Sequence, residues 1–232
     1  MKFDELDSKM RVFETANDRC VLPGVHIVAR IDGRGFTRLT KEMHAFDAPF
    51  DVRFRDMSDE ISLLFRPNDN TFGRKTRKIV SVLAGEASAK FTLLLGGLAA
   101  FDCRVCELPT AEQVRDYFRW RSEDAHCNAL GAHCYWMLRK SGRSVAEATG
   151  QLAGMSVADK NELLFRAGIN FNDLPAWQKR GSGVYWEDYE KPATNPKTGE
   201  TVHASRRRLR RDLELPLREA YDQLVLGFVR PQ

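Results

Sequence analysis

Apolar residues recur along this chain in two rhythms. In "GVHIVARIDG" they form a near-continuous run from Val25 to Ile31, which predicts a strand buried on at least one face and ending at Asp32 and Gly33. "EISLLF" (Glu60 to Phe65) predicts a second strand, stopped by Pro67, and "AAFDCRVCEL" a third. "DAPFDVRFRDM" predicts a short helix with Pro49 near its start, and the stretch from about Arg74 to Leu94 has helical spacing. Beyond it the helical rhythm dominates. "TAEQ" (Thr110 to Gln113) has the form of a capping box and opens a helix running to about Arg139. "SVAE" at Ser144 and "SVAD" at Ser156 open two more, and Gly168 is placed to end the last. "GVYWEDYEK" followed by "NPKTG" and "ETVHAS" predicts a hairpin with "NPKTG" as its turn. Strands and helices alternate in the first part and helices prevail in the second, which predicts α/β layers carrying a helical appendage. The composition shifts near residue 117, which divides the chain into 1–116 and 117–232.

Composition narrows the class. The chain has 232 residues, enough for one large or two modest domains. No run approaches the ~20 apolar residues of a membrane helix. The opening "MKFDELDSKM" is polar, unlike a signal peptide, so a cytoplasmic protein is expected. The five cysteines, an odd number, suit reduced thiols. Cys103 and Cys106 have zinc-like spacing, but three residues apart on a strand they face opposite sides. His126 and His133, with Cys127 and Cys134, repeat at seven on a helix, which is ordinary core periodicity.

The net charge is only +4, yet the basic residues cluster. Arg74, Lys75, Arg77 and Lys78 form one group; Arg206, Arg207, Arg208, Arg210 and Arg211 form another. Both suit a phosphate-rich partner or a solvated face. The second group reads equally as RNA phosphate contact or as a solvated helix.

The candidate chemistry lies at two strand ends. Asp32 closes the first strand, and Asp59, in "SDE", precedes the second. If those strands are neighbours, the two carboxylates meet at one edge of the sheet. Paired aspartates offer hard oxygens to two Mg²⁺ ions, which at ~3.5–4 Å separation can serve an attacking and a leaving oxygen. Gly33 and Gly35 allow the backbone to approach a triphosphate, and a carbonyl of that turn can add a metal ligand. Lys78, with Arg74 or Lys75, supplies counter-charge if the helix presents them on one face.

"RIDGRGFTRLTKEMHAF", "SDEISLLF", "LAGEASAKF", "AFDCRV", "RWRSEDAHCNALGAHCYW" and "NFNDLPAWQKRG" together resemble the tRNA-His guanylyltransferase family over about residues 3 to 211, nearest its bacterial and archaeal Thg1-like branch. The resemblance implies a polymerase-palm-like antiparallel sheet with packed helices and a mainly helical C-terminal region with a hairpin. It implies 3′–5′ nucleotide addition to the 5′ end of tRNA with two Mg²⁺ ions and GTP or ATP, by a homotetramer. Carried over by motif, it assigns metal binding to Asp32, the Gly33 carbonyl and Asp59. It assigns nucleotide contact to Asp32, Gly33, Arg34, Gly35, Phe36, Thr37, Ser58 and Asp59, with Arg74 and Lys78 in a triphosphate-contacting segment.

The departures point within the family. Eukaryotic members carry "HINN" where this chain has "HCNA" (His126 to Ala129), a histidine where it has Thr37, and a lysine where it has Ala48. These favour templated repair of tRNA 5′ ends over dedicated guanylate addition to tRNA-His. Between Met57 and Ser58 the family carries about twenty further residues, on the scale of one helix-plus-strand segment. Its loss is expected to leave Glu60–Phe65 on an open edge. An RNA-binding homologue with impaired catalysis is the alternative.

Overall fold

The computed structural model describes residues 3–43, 46–55, 58–194, 199 and 201–229. Its helices are α1 (Phe3–Thr15), α2 (Phe36–Lys41), α3 (Thr76–Leu95), α4 (Ala111–Lys140), α5 (Val145–Leu152), α6 (Val157–Arg166), α7 (Ala176–Arg180) and α8 (Arg218–Val229). Its strands are β1 (His26–Gly33), β2 (Glu60–Phe65), β3 (Phe101–Leu108), β4 (Gly183–Thr194) and β5 (Thr201–Asp212). They fall into two units. One comprises Met1–Asp47, Asp51–Phe118 and Asp222–Gln232; the other comprises Ala48–Phe50 and Arg119–Tyr221.

The first unit is built on an antiparallel sheet in the order β2-β1-β3. Strand alternation sends Ile27, Ala29 and Ile31 to one face. There Ile27 and Ala29 pack with Val21 and Ile79, the last from α3. At the end of β1 the core turns aromatic. The Phe36 ring meets Phe91 at 5.0 Å and Phe101 at 5.5 Å, both edge to face. Among the described residues β2 lies at the sheet's edge.

Two local expectations need correcting. "DAPFDVRFRDM" forms a 3₁₀ turn, Val52–Arg55, and no α-helix among its described residues. The Asp51 carboxylate, accepting from the backbone N–H groups of Asp47 (2.9 Å) and Arg53 (2.8 Å), ties it down as a turn. The helix expected from Arg74 begins at Thr76, because Phe72, Gly73 and Arg74 are all left-handed, with φ near 60°. Thr110 and Gln113 do exchange capping hydrogen bonds, each 3.2 Å, and open α4.

The second unit packs Leu130 and Cys134 of α4 against Leu164 of α6 and Phe171. Ser144 with Glu147, and Ser156 with Asp159, form complete capping boxes. Aspartate thus replaces glutamate at that cap without loss. β4 and β5 pair over their full length, from Gly183 opposite Asp212 to Thr194 opposite Thr201. Arg206 to Arg211 therefore lie on a strand, and the helical reading of them is wrong. Of the turn "NPKTG", residues 195–198 lie outside the described residues. The composition gave no hint of α8, whose Val225, Leu226 and Val229 are buried. No described helix is long and apolar enough to cross a membrane.

Candidate functional site

The turn after β1 is held from both sides by backbone. The Gly33 N–H donates to the Asp59 carbonyl at 2.7 Å, and the Arg34 N–H to the Ala100 carbonyl at 2.8 Å. The two glycines have separate reasons. Gly35 sits at φ 72°, a left-handed position that opens α2. Gly33 is small because Phe36 folds back over it: a Cβ there would lie 2.2 Å from the ring's Cε2. The phosphate-approach argument therefore does not explain Gly33, whose smallness the core demands. Phe36 itself is buried, so only its backbone can meet a ligand. Arg34, Gly35 and Thr37 are exposed.

The sheet register places Glu60, Asp32 and Asp102 in one row across β2, β1 and β3. Directly opposed residues share a face. One step away, Arg30 lies between Ser62 and Arg104. The Arg30 Nη2 donates to Glu60 Oε2 at 2.7 Å and to Asp32 Oδ2 at 3.2 Å. Arg104 approaches the same Asp32 oxygen at 3.8 Å and is more exposed. Ser62 Oγ and the Tyr117 hydroxyl of α4 lie 3.3 Å apart, which joins this face to the helix.

Asp59 immediately precedes this row. Its residue as a whole is exposed, yet protein atoms around the carboxyl desolvate it and push its pKa up. The negative charges of Glu60 and then Asp32 push in the same direction. Ser58 braces the entry to β2. Its Oγ donates to the Glu60 carbonyl at 2.6 Å and accepts from the Glu60 N–H at 3.3 Å.

The basic segment divides. Arg74 is buried, and its guanidinium donates to six backbone carbonyls: Val21, Arg66, Pro67, Asp69, Leu22 and Val25. It fastens two loops together and cannot reach a triphosphate. Lying before α3 in a left-handed conformation, it also shares no helix face with Lys78. Lys75 pairs with Asp18 at 2.9 Å, and Arg77 pairs with the same carboxylate. Lys78 is exposed and has no side-chain partner among the described residues.

The donor set fits a hard divalent cation. Asp32, Asp59 and the Gly33 carbonyl all offer oxygen, and a cation would offset what raises the Asp59 pKa, desolvation first and then the charges of Glu60 and Asp32. Among the described residues no group of three or more His, Cys, Asp and Glu could hold a metal unaided. A cation here must share its shell with carbonyl, water or phosphate oxygens, as Mg²⁺ does. All five cysteines are free.

Sequence reasoning missed Glu60, Arg30, Asp102 and Arg104. The available signal was period two: Arg30 and Asp32 alternate with apolar Ala29 and Ile31, so they share the face opposite those two residues. In the second unit, His126 lines a cavity of about 430 Å³ with Asn161, Phe165 and Asn170.

Two family models match the chain. One, described as tRNAHis guanylyltransferase, matches residues 7–57 and 56–109. The other, the Thg1 C terminal domain, matches 112–221. The first match breaks at residues 56–57, where the sequence places the missing segment. A probable tRNA(His) guanylyltransferase of Dictyostelium discoideum is 34% identical over 218 residues, covering 80% of this chain and 84% of that one. The Drosophila melanogaster counterpart is 34% identical over 196 residues, covering 71% and 68%. Among solved structures, a bacterial tRNA(His) guanylyltransferase (Thg1)-like protein in complex with ATP superposes with a TM-score of 0.69 at 27% identity, covering 97% of this chain and 99% of that one. A bacterial Thg1-like protein in complex with GTP gives 0.65 at 28%, covering 95% and 99%.

Proposed function

This chain belongs to the tRNAHis guanylyltransferase family of nucleotidyltransferases, and from that premise we propose that it adds nucleotides in the 3′–5′ direction to the 5′ end of tRNA, on a polymerase-palm-like sheet. GTP or ATP is the incoming nucleotide, since solved Thg1-like relatives hold each. The observation that carries the proposal is the backbone bond from Gly33 to Asp59, which makes neighbours of two segments that each bear a carboxylate.

Asp32, Asp59 and the Gly33 carbonyl would hold two Mg²⁺ ions. Bound there, the ions would neutralise triphosphate charge and favour the alkoxide of the attacking hydroxyl. The Arg34–Gly35 turn and the exposed Lys78 bind the triphosphate, while Ser58 keeps the entry to β2 in place. The 3′-hydroxyl of the incoming nucleotide attacks the α-phosphorus of an activated RNA 5′ end. A new O–P bond forms, the bond to pyrophosphate or a nucleotide breaks, and the hydroxyl proton passes to solvent.

We assign RNA phosphate contact to Arg206 and Arg207 on β5. Arg207 lies over the exposed Trp186 ring, with its guanidinium 5.2 Å from the centroid. We propose a homotetramer in the cytoplasm as the working form, and templated 5′-end repair as the activity, from Thr37, Ala48 and "HCNA".

The test is transfer of labelled GTP or ATP to a 5′-truncated tRNA whose template base opposite the 5′ end is varied. A templated enzyme changes which nucleotide it adds; a dedicated guanylate transferase adds G to tRNA-His regardless. Two observations favour a second reading. The break at 56–57 and the edge position of β2 suit a homologue that binds RNA without turnover. It would show salt-dependent tRNA binding and no Mg²⁺-dependent incorporation.

A further inference from the structure

Resting on the two-carboxylate reading of the site, we infer that Arg30 is a positioning residue: it fastens Glu60 of the edge strand β2 to Asp32 of β1, and so sets where Asp59 stands.

The need for such a fastener follows from the register. Asp32 and Glu60 are directly opposed on adjacent antiparallel strands. Opposed side chains have Cβ atoms about 4.5–5.5 Å apart, and like charges at that separation destabilise the pairing. β1 is held on both sides, but among the described residues β2 pairs with β1 alone. Repulsion between the two carboxylates would therefore push β2 outward. Asp59, one residue before Glu60, would move with it.

Arg30 meets this need with one nitrogen. Its Nη2 lies 2.7 Å from Glu60 Oε2 and 3.2 Å from Asp32 Oδ2, and its side chain is only 16% exposed. A charge-assisted bridge in that setting is stronger and less screened than a surface pair. It takes Asp32 by Oδ2, and Oδ1 has no side-chain partner among the described residues. That oxygen stays available to a cation. The buried Arg30 Nε has no partner either, so the two carboxylates set the orientation of the guanidinium. Arg30 touches the reacting atoms in no step of the proposed reaction; it acts through Asp32 and Glu60.

The experiment compares Arg30→Met, Arg30→Lys, Glu60→Gln and the double variant Arg30→Met/Glu60→Gln with the unaltered chain. Three readouts are used: hydrogen exchange of the Gly33 amide, Mn²⁺ binding in the presence of GTP by electron paramagnetic resonance, and the kcat and KM of GTP incorporation. In Arg30→Met the Gly33 amide should exchange faster, and Mn²⁺ should bind about tenfold to a hundredfold more weakly, the range seen when groups that orient metal ligands are removed. The kcat should fall while the KM for GTP stays nearly constant. The double variant should recover part of each loss, because removing the Glu60 charge removes the repulsion. Arg30→Lys keeps the charge without the fork and should fall between.

Unchanged Gly33 exchange and Mn²⁺ affinity in Arg30→Met, or a double variant no better than the single one, overturns the inference. Should Arg30→Met not fold, Arg30→Lys must still weaken Mn²⁺ binding, or the inference fails. The two readings separate. An unaltered chain that incorporates GTP, with variants that keep its exchange and affinity, sinks the fastener alone. A chain without incorporation, whose Gly33 amide loosens in Arg30→Met, sinks the catalytic reading alone.

Discussion

The N–H of Gly33 and the carbonyl of Asp59 share a 2.7 Å hydrogen bond, although the family match breaks at residues 56–57 between them. That bond brings the two aspartate-bearing segments together by backbone, before any side chain or ligand acts. What Gly33 tolerates therefore bears on stability and on chemistry alike.

Gly33→Ala is expected to damage both. Its new methyl would meet the Phe36 ring, and that ring is wedged between Phe91 and Phe101. Relief requires moving the core or the turn, at a cost of about 1–3 kcal/mol. Chemical denaturation should register that loss, and labelled-nucleotide incorporation should fall further than the stability change alone explains.

Arg74 and Lys78 should separate cleanly. Arg74→Met leaves six carbonyls without their donor and should lower stability by several kcal/mol, because unmet buried polar groups cost about 1–3 kcal/mol each and only some will reach water. Lys78→Ala should leave the unfolding midpoint unchanged and raise the KM for GTP. Urea unfolding alongside steady-state kinetics checks both.

The second unit should weaken in acid. Burial pushes the pKa values of both His126 and His133 below the ordinary 6.5, and nearby cations add to this. His133 stacks on Phe50 at 5.4 Å and meets Phe171 edge-on, with its buried Nε2 unpartnered. A depressed folded pKa means that the unfolded chain takes up the proton first as pH falls. Stability is thus full above pH 6.5 and declines below it, down to the folded pKa values. All four tryptophans lie in this unit, so tryptophan fluorescence should show a lower midpoint at pH 5 than at pH 7.5. His133→Phe should flatten the difference.

On the hairpin, Glu187 already pairs with Arg208 and Arg210, each at 2.7 Å. Arg206 and Arg207 have no carboxylate partner of this kind among the described residues. Arg206→Ala and Arg207→Ala should each weaken tRNA binding and reduce the salt slope by about one unit. Arg208→Ala, which frees Glu187 from one partner, should change the slope less. Filter binding across salt concentrations decides this.

Much of the architecture was legible in the chain itself. The apolar runs at Val25–Ile31, Glu60–Phe65 and Ala99–Leu108 announced the strands of the first sheet, and Asp32 with Asp59 stood at the ends of two of those runs. Three features were not legible, each for a physical reason. Arg74 looked like counter-charge because its carbonyl partners come from loops around residues 21–25 and 66–69, which local pattern cannot bring together. Glu60 looked incidental because its partnership with Asp32 depends on register, and a one-residue slip would have faced it away. Arg206 to Arg211 read as a solvated helix or an RNA contact and not as a strand, since among them only Leu209 is apolar and no period of two emerges.

The most direct measurement is Mg²⁺-dependent transfer of labelled GTP to a 5′-truncated tRNA by the unaltered chain, Asp32→Ala and Asp59→Ala. Incorporation by the unaltered chain, lost in both variants while each still folds and binds tRNA, is the predicted result. Activity retained in either variant, or an unaltered chain that binds tRNA and transfers nothing, would contradict the paired-carboxylate account.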